Sequence, residues 1–200
     1  MISASRWFTG AVLAACWLGL AAPAQAKGTD PEAEARARDY FSNLEVITQD
    51  GKRMRFYDDV LSGKVVVLNF IFTNCQGACP MMTRNLSLVR DMLGEGALGR
   101  DIHFVSISLD PLRDTPAAMK AFAETHDADQ PGWLFLTGQP ENLEHIVSVL
   151  GQHTDDLEVH STLLLAANVR TAHWTKIPPT VPPNGVVERL RLLIEEDAAP

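Results

Sequence analysis

Basic clusters are missing from this 200-residue chain, whose 17 Lys and Arg face 25 Asp and Glu for a formal net charge of −8. No run of lysine and arginine forms a patch, so the electrostatic footprint of a nucleic-acid surface is absent and no nucleic-acid partner is expected. Long hydrophobic runs are also lacking. The longest, near the amino terminus, covers about 16 residues, a little short to cross the hydrocarbon core of a bilayer. Internal repeats are absent. Cysteine is scarce, with only Cys16, Cys75 and Cys79. What is present is the composition of an ordinary globular protein, 46% hydrophobic and 21% charged, with enough residues for one domain and a real core.

The first 26 residues stand apart. They carry one charge, Arg6, then a mostly apolar run through Leu20, and end in the small-x-small sequence Ala24-Gln25-Ala26. This pattern predicts a secretory signal over 1–26, cleaved after Ala26, and therefore export to the periplasm. Two alternatives retain the segment at a membrane: an anchor through residues 7–22, or lipidation of Cys16 in the lipobox-like Leu13-Ala14-Ala15-Cys16. If Cys16 leaves with the signal, Cys75 and Cys79 are the only thiols, in a compartment that permits them to pair.

Residues 27–40 are polar, helix-prone and poor in apolar face, and are expected to form a flexible leader to a domain over 41–200. "LEVITQDGKRMRF" alternates around Asp50-Gly51, a hairpin signal. Val65 to Phe72 is a near-continuous β-branched and aromatic run, as in a central strand buried on both faces. Pro80 suits a helix start, with Met81, Leu86, Val89 and Leu93 on one side. Strands are expected at "IHFVSISL", "GWLFL" and "STLLLAANV", and helices after Thr115-Pro116, from Pro140 to Gly151, and from Gly185 to Glu196. A Pro-rich loop is read near 174–185. Strands alternating with helices after a hairpin favour an α/β three-layer sandwich with a mixed central sheet. Sites in such sheets lie beyond the carboxyl ends of the strands, where Cys75, Cys79 and Asp110 fall.

Cys75 and Cys79 admit three readings: a redox couple, a structural staple or two soft metal ligands. Pro80 disfavours helical geometry at the residue before it, which places Cys79 at the N-cap and Cys75 in the loop leading in. The positive end of the helix dipole would lower thiol pKa there, and the thiolate is both the nucleophile and the metal ligand. The spacing is one residue wider than Cys-x-x-Cys, and Gly77 adds slack, so both sulfurs can converge on one ion. Two thiolates leave a soft ion such as Cu(I), or a Cu(II) site, in need of a nitrogen ligand. A five-residue disulfide ring would stabilise little by loop entropy.

"TNCQGACP", "SISLDPLRDTP" and "VHSTLLL", in that order, resemble the SCO/SenC family of copper-binding proteins, which have a thioredoxin-like fold. The likeness runs over roughly residues 42 to 168. It implies copper bound by Cys75 and Cys79 as thiolates and by His160 as imidazole. It further implies a metallochaperone that delivers copper to, or reduces thiols for, the dinuclear copper centre of a respiratory oxidase. The partners would then be the oxidase copper subunit, or another copper protein, and a thiol reductant. The chain departs from the family pattern in having Val159, not Asp, before the histidine, and in lacking the Asp-Gly turn after it.

Other readings remain open beside this one. Cys75 and Cys79 could serve a periplasmic thiol–disulfide oxidoreductase or a peroxiredoxin-like peroxidase, or switch an interaction module whose binding depends on their redox state. His103, His126, His145, His153 and His173 are read as surface or structural, His153 being the best substitute ligand. Met81 and Met82 are read as packing. Asp110 either caps a turn or supports the site electrostatically. Asp114 and Thr115 read as helix-start residues, and Trp174 with the prolines at 178–183 as a docking surface or a rigid loop.

Overall fold

The computed structural model describes residues 31–154, 156–157 and 160–196. The signal segment, Cys16 and Val159 lie outside the described residues. Among the described residues the elements follow in the order α1 (Pro31–Phe41), β1 (Glu45–Thr48), β2 (Arg53–Arg55), a π-helical segment (Phe56–Leu61), β3 (Val65–Ile71), α2 (Ala78–Leu93), β4 (His103–Ser108), α3 (Pro116–Thr125), β5 (Trp133–Thr137), α4 (Pro140–Val149), β6 (Leu164–Asn168), β7 (His173–Ile177) and α5 (Pro183–Glu195).

The strands form one seven-stranded mixed sheet in the order β2-β1-β5-β4-β3-β6-β7. β3, β4 and β5 run parallel, while β1 joins β5 and β6 joins β3 antiparallel. The hairpin turns at Asp50-Gly51, Gly51 taking a φ of 77° that a side-chain-free residue adopts without strain. β3 is buried at every position. Val65, Val67 and Ile71 pack under α2, α3 and α5, whereas Val66, Leu68 and Phe70 pack under α4 and the π-helical segment. The period-two alternation of a strand thus supplies both cores of a three-layer sandwich.

Three elements differ from expectation. The helix-prone leader, expected to be flexible over 27–40, forms α1 from Pro31, which runs on to Phe41. It has no fully buried residue but is tied down by Arg38 to Asp58 at 2.7 Å, by Ser62 donating to Glu34, and by Phe41 stacked on Trp174. Trp174 lies in β7, not in the Pro-rich loop, because residues 173–177 pair with β6 in the register Ala167↔Trp174; the loop is confined to Pro178–Pro182. The last helix starts two residues early, at Pro183, since proline in a first helical turn forfeits no intrahelical bond.

Candidate metal and thiol site

β3 and β4 end side by side, with Ile71 opposite Ser108, and Leu109 N–H donates the last ladder bond to Ile71 O. The chain then leaves β3 through Phe72–Gly77 into α2. Cys79 is not the N-cap that Pro80 led one to expect. Gly77 is the N-cap and Ala78 opens the helix, so Cys79 is its second residue. Pro80 falls third, where an N–H has no intrahelical acceptor and its absence costs nothing. Cys75 is in the loop as expected, its N–H bonded to Phe72 O at 3.1 Å.

The turn folds Cys75 back over the start of α2. Cys79 N–H donates to Cys75 Sγ at 3.4 Å. Both thiols are free and buried, Cys75 at 8% exposure and Cys79 at 0%. Their environments push them apart. Burial raises the Cys75 pKa, but the N–H groups of Cys79, Gly77 and Ala78, aided by the Cys79 thiol, more than offset it and leave the group below its ordinary 9.0. Burial dominates at Cys79. A backbone hydrogen bond at Phe72 opposes it, the hydrogen bond and charge of Cys75 and the charge of Asp114 add to it, and the thiol is pushed up to about 12. The helix-terminus effect expected for both sulfurs therefore acts on Cys75 alone, which faces the N–H groups.

His160 reaches this pair from 81 residues away. Its Nε2 lies 3.9 Å from Cys79 Sγ, and its Nδ1 lies 2.6 Å from Leu157 O. A carbonyl only accepts, so Nδ1 carries the proton in the neutral ring and Nε2 presents its lone pair to the sulfur. Phe72 meets the imidazole edge-on, with centroids 5.6 Å apart. Among the described residues no three His, Cys, Asp or Glu side chains already stand as a closed metal cluster. The 3.9 Å separation is nonetheless shorter than about 4.3 Å, the sum of typical zinc–sulfur and zinc–nitrogen bonds, so one ion of similar size can touch both atoms. Two sulfurs and a free imidazole nitrogen are donors suited to a soft ion.

Most of the remaining candidates sit elsewhere. Asp110 forms a turn: its carbonyl accepts from Arg113 and Asp114, its N–H donates to Ser108 Oγ, and its carboxylate pairs with Arg113 at 3.0 Å. With His153 it lines a neighbouring cavity of about 330 Å³. His126 ends α3 and His173 pairs with Glu196. His103 is half-buried on β4 and His145 is exposed on α4. Met82 is buried in the cluster that holds both cysteines, whereas Met81 is 60% exposed. Asp114 does more than the helix start expected of it. It is buried beside the cysteine loop, and the helix start belongs to Thr115, whose Oγ1 accepts from Ala118 N–H. The Leu157 carbonyl has no sequence signature at all.

A dithiol at the head of a helix, faced by a histidine entering the adjacent strand, on a mixed sheet between helical layers, defines a thioredoxin-like protein with a thiolate–imidazole site. The SCO1/SenC family model matches residues 32–193, and the chain belongs to that family. It is 36% identical over 94 residues to the SCO1 protein homolog of Bacillus subtilis, covering 47% of each chain. It is 37% identical over 90 residues to Protein SenC of Rhodobacter capsulatus, covering 44% of this chain and 38% of that one. The matched segments span about half or less of those relatives. In structure it resembles a SCO1/SenC family lipoprotein from Bacillus anthracis, with a TM-score of 0.65 at 31% identity over 76% of this chain and 93% of that one. Arabidopsis thaliana ScoI, a structure with copper bound, shares the fold with a TM-score of 0.64 at 24% identity, over 78% of this chain and 98% of that one.

Proposed function

We propose that this is an exported, periplasmic copper-binding protein that carries the ion on Cys75 and Cys79 as thiolates and His160 as neutral imidazole. It delivers copper to the dinuclear centre of a respiratory oxidase during assembly. Copper is the cargo, and the chain's part is to hold soft donors in a site open enough to release it. The observation that carries this reading is the approach of His160 Nε2 to Cys79 Sγ, 3.9 Å, with Nδ1 engaged by Leu157 O. Family membership and the copper-bound ScoI relative support it. Copper titration of the reduced protein and of His160→Ala tests it. Loss of affinity by tenfold or more is expected, and equal affinity removes His160 from the site. Ligation displaces the thiol protons, so affinity should fall as pH falls.

The divergent thiols favour a second use of the same sulfurs, the reduction of a partner disulfide. Cys75, the more acidic thiol, attacks one partner sulfur and releases the other as a thiolate. Cys79 then gives up its proton and displaces the mixed disulfide. Two electrons and two protons pass to the partner, and the Cys75–Cys79 bond forms. Turnover with a disulfide substrate that survives copper chelation would separate this use from delivery.

A further inference from the structure

Asp114 is 1% exposed, yet among the described residues no cation pairs with it. A buried carboxylate in that position is costly unless hydrogen-bonded. Its Oδ1 accepts from Thr73 N–H at 3.0 Å and from Thr73 Oγ1 at 2.6 Å, and its Oδ2 accepts from Ser108 Oγ at 2.6 Å. The start of α3 does not require it, since Thr115 caps that helix. What the carboxylate spans is the gap just past the last ladder bond between β3 and β4. Ser108 closes β4, while Thr73 lies two residues before Cys75 in the loop that leaves β3.

We propose that Asp114 is a positioning residue for the dithiol: by clamping Thr73 to the end of β4 it sets where Cys75 Sγ stands relative to Cys79 and His160. Asp114 touches neither sulfur nor imidazole in a hydrogen bond; it acts through the loop. The copper readout of this role rests on the function proposed above, whereas a redox readout does not.

The test uses Asp114→Ala, Asp114→Asn, Thr73→Val and Thr73→Ser in the full chain, with circular dichroism to check the fold. Cu(I) affinity is measured by competition with a chromophoric chelator. The dithiol–disulfide equilibrium is measured without metal against dithiothreitol. Oxidised dithiothreitol takes two electrons and two protons as the Cys75–Cys79 bond forms. Asp114→Ala should weaken Cu(I) binding at least tenfold. It should also shift the equilibrium toward the dithiol by at least tenfold, about 30 mV, because a loosened loop holds Cys75 less often over Cys79. Asp114→Asn keeps an oxygen for both Thr73 bonds and should stay within threefold of wild type. Thr73→Val should move both readouts the same way, and Thr73→Ser should restore them. If Asp114→Ala does not fold, the threonine pair decides. A folded Asp114→Ala with wild-type affinity and equilibrium overturns the proposal. So does an Asn variant as impaired as Ala, which would make charge rather than hydrogen bonding the agent. If the wild type fails to bind Cu(I), the functional reading falls and the dithiothreitol equilibrium alone judges the clamp.

Discussion

Cys75 and Cys79 are chemically identical in the unfolded chain and distinct in the folded one. The difference comes from a single turn of backbone: Cys75 Sγ faces N–H groups, and Cys79 Sγ is enclosed by the core with no exposure. Alkylation should report it directly. In limiting iodoacetamide at pH 7.5, Cys75 is expected to react at least tenfold faster than Cys79, read by mass spectrometry of the digested protein. Equal rates would contradict the thiol environments described above. The sequence made both sulfurs visible as a pair because their spacing and Pro80 are local facts. Their inequality was not visible, because burial depends on Phe72, Met82 and the sheet beneath, none of which spacing encodes. The contact of Asp114 with the cysteine loop is hidden in sequence for the same reason. Its three donors come from Thr73 and Ser108, and only the sheet brings those residues together.

Elements were legible in proportion to how far local pattern decides them. β3 announced itself because a strand buried on both faces must be apolar at nearly every position, and the hairpin did so because Asp50-Gly51 suits a tight turn. β7 is not legible as a strand, most of it falling within the Pro-rich loop expected near 174–185. Its residues, His173–Ile177, carry weak alternation, and it is an edge strand that exists through pairing with β6. The two loops that lead into β4 and into β5 also depend on a contact invisible in sequence. A Cβ at Gly132 would sit 2.3 Å from Gly99 N and 2.4 Å from Gly99 Cα, and Gly132 has a φ of +86°. Gly132→Ala combines backbone collision with left-handed strain and should cost on the order of 1–3 kcal/mol. A chemical denaturation midpoint unchanged from wild type would show that the two loops can part freely.

At the scale of the whole molecule, the buried thiol makes stability depend on pH in a defined direction. Cys79 titrates near 9.0 in the unfolded chain and is pushed up to about 12 in the folded one. Below pH 9 both states hold the proton and the group adds no slope. As pH rises beyond 9 the unfolded chain loses it while the folded chain keeps it, so stability falls toward pH 12. The one-proton limit is about 1.4 kcal/mol per pH unit. Urea unfolding at pH 8, 9.5 and 10.5 should show a steeper alkaline loss for wild type than for Cys79→Ala; parallel profiles would mean that Cys79 ionises as readily folded as unfolded. By itself the amino-acid order determined the α/β class, the buried central strand, the dithiol loop and the family pattern that includes His160, because each is written in periodicity or in neighbours along the chain. Tertiary structure alone decided that His160 Nε2 meets Cys79 Sγ at 3.9 Å, that the two thiols differ in acidity, and that Asp114 rather than Asp110 reaches the cysteine loop. Those are distances and burials between residues far apart in sequence, and only the packing of β3, β4 and β6 under α2 creates them.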